Sequence, residues 1–330
     1  MVDPRPAPGV ETFRIESSSD VPARDERALD VAVLDMNAGH ANVGHDAIVA
    51  IVADCADELA EDLARTGRRV RVLSYAVRDK WVLPEHADGR HRLYVGTGGP
   101  GHLNPRENRR ERAPEEILED PRWEAPLWRL FDSVAADERA ALYGVCHTFG
   151  LICRWSGIAQ PALRGPEKGG PMSGVGTNVL TPEALAHPWF GRLGPLAAAG
   201  RGTVPVLDSR HYDLLPCGTM RPGATAIAFE SSPAGDGPGE ALTMVEIARD
   251  PDGMPRFFAV NSHPEIGAPE RVAELLQRLL ARGAIDRTVY GQRSAMLPML
   301  RDDRRSERLD VGRAVFTDLV HERLARLVRG

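Results

Sequence analysis

The chain lacks the features that mark several common classes of protein. It has 330 residues and a formal net charge of −6, so it offers no basic field for binding nucleic acid. No apolar run approaches the roughly 20 residues that a membrane span requires. The N-terminus is polar, acidic and proline-containing, without the apolar segment of a secretory signal, which predicts a cytoplasmic protein.

Cysteine is also scarce. The four cysteines, Cys55, Cys146, Cys153 and Cys217, form no C-x-x-C pair and no zinc-type spacing with histidine. Free thiols in a reducing compartment are the simplest interpretation. We therefore predict neither a metal nor a cofactor, and no disulfide framework.

What the chain does contain is an alternation of strand and helix patterns. Residues 29–36 and 69–74 read as strands separated by a helix, and residues 224–230 and 241–249 read as a hairpin. The alternation predicts an α/β fold with a mainly parallel sheet and helices on both faces. The domain prediction has three parts: an arm or tail at 1–28, the α/β domain at 29–268 and a helical extension at 269–330. Within the α/β domain, the charged segment 102–135 is expected to be a surface excursion or a lid.

One stretch joins a strand end to a cysteine. The apolar residues 140–145 stop at Cys146, and a helical pattern begins directly behind it. The sulfur at such a corner lies on a tight, exposed turn, where the free N–H groups of the helix favour the thiolate. A nucleophile elbow built on cysteine is one interpretation. The other is a buried structural cysteine, and the stretch alone does not decide between them.

Two further strand ends carry suggestive residues. A glycine-rich turn with Gly98 and Gly99 ends one strand, and His263 with Glu265 ends another. The carboxyl ends of parallel strands meet at one edge of a sheet, so we expect both groups to lie near Cys146. Taken alone, His263-Pro264-Glu265 is equally consistent with a surface turn.

Acyl transfer would assign each of these residues a role. Cys146 would attack a carbonyl carbon, His263 would move the proton, and Glu265 would hold the imidazole in the right tautomer. The backbone N–H groups of Gly99 and His147 would form the oxyanion hole, worth roughly 3 kcal/mol per donor.

Three motifs in order resemble the class I (triad) glutamine amidotransferases. They are Thr97-Gly-Gly-Pro-Gly101, Gly144-Val-Cys-His147 and Ser262-His-Pro-Glu265. The resemblance covers roughly residues 29–268, and the order of the motifs is more specific than any one of them. It implies a flavodoxin-like fold and hydrolysis of an amide through a thioester on Cys146. It also implies glutamine or a γ-glutamyl-type amide as donor, and an ammonia-accepting synthetase as a possible partner.

The chain departs from that family just after the nucleophile. Thr148 stands where the family has a second glycine, and Gly150 stands where it has the glutamine that helps to hold the substrate. We expect Gly98, Thr148 and Gly150 to line the substrate site. Three residues near another strand end are expected to contact a substrate carboxylate: Arg210, His211 and Tyr212.

Two alternatives stay open. The homoserine acyltransferases share the fold and a Cys/His-x-Glu triad, and Pro166-Glu-Lys-Gly169 and Asp208-Ser-Arg-His211 resemble their acyl-site loops. Such an enzyme would move an acyl group from a coenzyme A thioester. The second alternative is a binding subunit that keeps the fold without the catalysis.

Overall fold

The fold is known from a computed structural model. The residues that it describes are 10–109, 117, 119–165, 168, 170–190, 202–218, 220, 222–235, 237–266, 269–281, 283, 287–295, 297–300 and 303–330.

A single large sheet organises this part of the chain. Its strands are β1 (Val10–Ile15), β2 (Ala28–Asp35), β3 (Arg69–Ala76), β4 (His91–Gly96), β5 (Ala141–Val145), β6 (Ala159–Leu163), β7 (Met172–Leu180), β8 (Thr203–Arg210), β9 (Tyr212–Pro216), β10 (Thr225–Ser231), β11 (Pro238–Arg249) and β12 (Pro255–Val260). The main path across the sheet is β1-β3-β2-β4-β5-β12-β11-β10-β7-β8, with β9 paired to both β11 and β6.

The first part of this path is parallel. Strands β1, β3, β2, β4, β5 and β12 run in one direction. Leaving out the edge strand β1, the remaining five follow the chain order 2-1-3-4-5, which is the flavodoxin-like arrangement. The prediction of an α/β fold with a flavodoxin-like parallel sheet is confirmed. Its carboxyl edge is where strands β4, β5 and β12 deliver the residues of the predicted site.

The second part of the path is antiparallel. Strands β11, β10, β7 and β8 continue from β12 with alternating direction. The predicted hairpin is present as β10 and β11, with Thr225 opposite Glu246. This half brings the end of β8, with Asp208 and Arg210, close to the end of β12.

Helices cover both faces of the sheet. They are α1 (Val43–Glu58), α2 (Ala60–Thr66), α3 (Val77–Lys80), α4 (Glu124–Ala136), α5 (His147–Ser156), α6 (Pro182–Ala186), α7 (Pro269–Ala281), α8 (Arg287–Ser294), α9 (Leu297–Leu300) and α10 (Asp303–Arg329). Successive residues of a strand face opposite sides. Accordingly, Val33 of β2 packs in a core with Ile48 of α1 and Leu319 of α10. Its neighbour Leu34 packs on the other face with Phe131 of α4.

The N-terminal segment differs from the prediction of an arm. Residues 10–15 form β1, which pairs in parallel with β3 and buries Val10 and Ile15. An edge strand with four polar or half-buried positions between two apolar ones has little alternation to reveal it. Residues 1–9 of the predicted arm lie outside the described part of the chain.

The charged segment 102–135 is also more deeply packed than predicted. Its second half forms α4, whose Leu127, Leu130, Phe131 and Val134 are fully buried. That spacing of three and four residues is the apolar stripe of an amphipathic helix, masked in the sequence by the charges around it. Residues 110–116 and 118 lie outside the description.

The C-terminal region is helical, as predicted. The last helix, α10, contributes Phe316, Leu319 and Leu324 to the core that covers one face of the sheet. None of the described helices combines the length and the apolar character that crossing a membrane demands.

Candidate active site

Cys146 occupies the turn between β5 and α5 in a backbone conformation that favours glycine. Its φ is 47° and its ψ is −99°. A non-glycine residue there is strained, and the strain persists only where surrounding contacts fix it. The Cys146 N–H donates to the Val260 carbonyl of β12 at 2.8 Å, and its carbonyl accepts from the Gly150 N–H at 3.0 Å. The turn leaves the side chain partly exposed, with the sulfur 3.8 Å from the Ser209 carbonyl oxygen.

Close packing behind the turn depends on Gly144. A Cβ at this position would lie 2.8 Å from Ile152 Cδ1 and 2.9 Å from Thr148 Cγ2. Real Cβ atoms do not approach carbon that closely. Glycine therefore allows the first turns of α5 to lie directly against β5, which holds Cys146 at the sheet edge.

His263 lies beside Cys146, and hydrogen bonds fix both its ring and its backbone. Its Nδ1 is 2.8 Å from Glu265 Oε1, and its backbone N–H donates to the Leu207 carbonyl at 2.7 Å. Burial alone would lower the pKa of His263. The Glu265 carboxylate and the nearby Cys146 sulfur outweigh burial and raise the pKa of His263 well above its ordinary value. The structure thus places His263 between Glu265 and Cys146.

Glu265 is buried at the start of α1. Only 2% of it is exposed, and a Cβ on Gly44 would lie 2.7 Å from Glu265 Oε1. Asn42 caps the helix by accepting the Gly44 N–H at 2.6 Å. The Glu265 carboxyl group therefore packs against the N-terminal end of α1.

The glycine-rich loop after β4 closes the other side of the site. A Cβ on Gly98 would lie 3.0 Å from His263 Cε1 and 3.4 Å from Cys146 Cβ. Gly98 is therefore next to Cys146 and His263. The ring of His147 is buried. Burial, with Arg78 and Arg154 nearby, lowers the pKa of His147 well below its ordinary value, so the ring is neutral.

Thr148, which the sequence predicts to line the substrate site, packs inside the protein. Its side chain is fully buried, and its hydroxyl donates to the Thr97 carbonyl at 2.8 Å. Thr148 therefore anchors the glycine-rich loop to α5 and presents nothing to a ligand.

Gly150 is also covered. A Cβ on Gly150 would lie 2.5 Å from both methyl carbons of Leu103. The backbone of Leu103 is fixed because Arg154 donates to its carbonyl at 2.6 Å and to Glu124 at 2.7 Å. Leu103 therefore fills the space above Gly150, the position that the sequence predicts to line the substrate site.

The contact between Leu103 and Gly150 gives a stability prediction. We expect Gly150→Ala to lower the free energy of unfolding by about 1–3 kcal/mol through overpacking, and Leu103→Ala by about 2–5 kcal/mol through a cavity. In the double variant the new methyl group enters the new cavity, so its loss should be smaller than the sum. Urea unfolding of the four proteins tests this, and strict additivity would contradict the contact.

Arg210, which the sequence predicts to contact a substrate carboxylate, is paired with carboxylates of the protein. It lies within 3.4 Å of three carboxylates and is only 2% exposed in its side chain. Those partners are Asp208, Asp213 and Glu230. Burial raises the pKa of Asp208 despite Arg210 and the nearby His263. The guanidinium is therefore committed to a buried charge cluster.

The other two residues predicted to contact substrate, His211 and Tyr212, differ in their exposure. His211 is partly exposed beside this cluster, so its prediction stands untested. Tyr212 is buried, and its ring meets that of His102 edge-on at 4.7 Å between centroids. The segment Pro166–Gly169 resembles an acyl-site loop of the homoserine acyltransferases, but residues 166, 167 and 169 lie outside the described part of the chain. Its remaining residue, Lys168, pairs with Asp213 at 3.4 Å.

Sequence reasoning missed a buried ion pair that supports the loop. Arg78 donates to Glu119 at 2.7 Å, to the Met36 carbonyl at 2.7 Å and to the Pro100 carbonyl at 2.8 Å. Its side chain is fully buried. Arg78 lies in the four-residue helix α3, and nothing in its local sequence distinguishes it from the chain's many other arginines.

Metal binding has little support in the described residues, among which no group of three or more His, Cys, Asp or Glu side chains is arranged as a metal site. His45, at the start of α1, is instead 2.6 Å from the Ser74 hydroxyl and 3.1 Å from Asp46.

Comparisons with known proteins give fold-level likenesses only. No family model matches the chain, and no curated protein matches its sequence. Solved structures that resemble it include the protein SMU.1228c, with TM-score 0.48 and 15% identity over 90% of this chain and 99% of that one. Another is the glutaminase domain of Trypanosoma brucei CTPS with bound acivicin, with TM-score 0.43 and 12% identity over 78% and 94%. A putative ThuA-like protein from Bacteroides uniformis has TM-score 0.37 and 10% identity over 81% and 96%. The strand order itself defines the class: an α/β protein with a flavodoxin-like sheet.

Proposed function

We propose that the protein is a cysteine-dependent amide hydrolase or amidotransferase that works through a thioester intermediate. One observation carries the proposal. Cys146 and His263 lie side by side at the carboxyl edge of the parallel sheet, both within 3.4 Å of where a Cβ on Gly98 would lie, and His263 Nδ1 is 2.8 Å from Glu265 Oε1. The order and spacing of these motifs, which resemble the triad glutamine amidotransferases, support an amide as the substrate.

Each step of the reaction has a residue for it. The Cys146 sulfur attacks the amide carbonyl carbon, and the oxyanion is stabilised by backbone N–H groups, for which Gly99 and His147 are the candidates. Collapse breaks the C–N bond, and His263 gives its proton to the departing ammonia. Water then attacks the thioester while His263 takes its proton, releasing a carboxylic acid and restoring the thiol. Glu265 stabilises the charged imidazole throughout.

The donor we propose is glutamine or a γ-glutamyl-type amide. The chemistry needs no cofactor, since the Cys146 sulfur and water are the nucleophiles and the His263 imidazole carries the proton. The ammonia would be released into solvent or passed to a synthetase partner that carries the acceptor site.

A mechanism-based label tests the proposal. The glutamine analogue 6-diazo-5-oxonorleucine should alkylate Cys146 and abolish ammonia release from glutamine. Cys146→Ser should neither be labelled nor release ammonia. Cys217, which is exposed, serves as the internal control for non-specific alkylation, read by peptide mass spectrometry. Labelling of Cys217 and Cys146 at equal rates would contradict the proposal.

A second candidate is an acyltransferase that uses the same three residues. The observation in its favour is Leu103, which covers Gly150 where a side chain that holds glutamine would have to lie. If this candidate is right, Cys146 should take up the acyl group of a coenzyme A thioester, with release of the free thiol, and should ignore the glutamine analogue. Absence of both activities would favour a binding subunit.

A further inference from the structure

The loop of residues 97–100 beside Cys146 has a hydrogen-bond donor for three of its four carbonyl groups. The Thr97 carbonyl accepts from the Thr148 hydroxyl at 2.8 Å, Gly98 from the Thr97 hydroxyl at 2.7 Å, and Pro100 from Arg78 at 2.8 Å. All three donor side chains are buried. Carbonyl groups in a surface loop usually face water instead.

Fixing a carbonyl also fixes the N–H group that follows it. A trans peptide unit is planar, and its C=O and N–H bonds point in opposite directions. The direction of the Gly98 carbonyl therefore decides where the Gly99 N–H points. Glycine has no Cβ to restrict this choice, so without an anchor the peptide between Gly98 and Gly99 can turn over readily.

The Thr97 hydroxyl must be the donor in its hydrogen bond with the Gly98 carbonyl, and its other two neighbours are themselves donors. A hydroxyl has one hydrogen and two acceptor lone pairs. The Met36 N–H and the Asn37 side-chain amide donate to Thr97 Oγ1, at 2.9 and 3.4 Å. With both lone pairs engaged, the hydrogen is directed to the Gly98 carbonyl.

This peptide borders the reacting groups. A Cβ on Gly98 would lie 3.0 Å from His263 and 3.4 Å from Cys146. Thr97 itself has no exposed surface, so it touches neither substrate nor the sulfur.

We propose that Thr97 is a positioning residue whose hydroxyl holds the peptide between Gly98 and Gly99 so that the Gly99 N–H is directed at the oxyanion. The inference rests on the proposed function of Cys146. It adds that the oxyanion hole is formed before substrate binds. Ser can replace Thr97 in this role, and Val cannot.

A matched pair of substitutions tests the inference. Thr97→Val keeps the shape and removes the hydroxyl, and Thr97→Ser keeps the hydroxyl. For amide hydrolysis we expect Thr97→Val to lower kcat about 10- to 100-fold with KM changed less than about twofold, since the oxyanion forms only after binding. Thr97→Ser should recover kcat to within about threefold. Alkylation of Cys146 by iodoacetamide passes through no oxyanion, so its rate should be unchanged in both variants.

The outcomes separate this inference from the proposed function. Should Cys146→Ser be inactive while Thr97→Val keeps full activity, the inference is wrong and the proposed function stands. A rise in KM, slower alkylation, or failure of Thr97→Ser to recover kcat would mean general loop damage and would also overturn it.

A crystal structure of the variant gives a readout that does not depend on activity. In Thr97→Val the peptide between Gly98 and Gly99 should turn over, and in Thr97→Ser it should not. An unturned peptide in Thr97→Val would refute the inference even if no amide substrate is found. Thr97→Ala takes the place of Thr97→Val if the valine methyl group, which would face the Met36 N–H, prevents folding.

Discussion

His263→Gln should lower amide hydrolysis by about 10²- to 10⁴-fold, the usual contribution of a general acid and base. Glutamine fills similar space and can still hydrogen-bond Glu265, but it cannot take the thiol proton. The raised pKa of His263 keeps the ring charged through acidic and neutral pH, until the pH rises through that raised value. Iodoacetamide should modify Cys146 much faster in the native protein than in the variant, which has no base beside the sulfur.

A second buried histidine provides the control for this result. His187 lies 3.1 Å from both carboxylate oxygens of Glu246 and is only 3% exposed. His187→Gln therefore also disrupts a buried His–Glu pair, but one that belongs to the end of α6. We expect it to reduce stability and to leave the alkylation rate of Cys146 unchanged. Equal losses of activity in the two variants would show that His263 acts through stability alone.

The sequence is sufficient to predict that residues at the ends of parallel strands lie close together. Cys146 and His263 follow β5 and β12, which are adjacent and parallel although more than a hundred residues separate them in the chain. The rule that carboxyl ends of parallel strands share an edge places them together without knowledge of any side-chain contact. The location of Glu265 near the same edge follows because it is only two residues after His263 in the chain.

The same reasoning does not reveal packing between distant elements. Thr148 and Gly150 are predicted to line the substrate site from their place after Cys146. Their contacts with Thr97 and Leu103, which come from a different strand end, leave no mark in the local sequence. Arg210 was predicted to bind a carboxylate, and it does, but all three carboxylates belong to the protein. No local pattern distinguishes a guanidinium that meets substrate from one that is already paired.

These packing contacts share a physical consequence for the site, because they fix the backbone around Cys146. Thr148 holds the glycine-rich loop from α5, and Arg78 holds it from α3. Cys146 lies in a strained turn and needs such support, because the strained conformation is kept only by its surroundings.

Loss of either member of the buried Arg78–Glu119 pair should have the largest effect on stability. The two side chains are 0% and 2% exposed and 2.7 Å apart. Removing one partner of a buried ion pair is strongly destabilising and costs about 3–5 kcal/mol. We expect both Arg78→Met and Glu119→Gln to lower the free energy of unfolding by about that amount, measured by urea denaturation. The control is Glu322→Gln on α10, where a half-exposed pair with Arg326 is worth about 0.3–0.5 kcal/mol.

The double variant Arg78→Met/Glu119→Leu separates stability from function. Replacing a buried ion pair by apolar side chains of similar size is often neutral, so the double variant should be more stable than either single variant. Activity should not return with stability, because the carbonyls of Met36 and Pro100 lose the donor that Arg78 provides. Recovery of kcat together with stability would show that Arg78 only stabilises the fold. Stability without activity would show that the loop beside Cys146 must be held by hydrogen bonds, since packing alone would not keep its peptide groups in a reactive orientation.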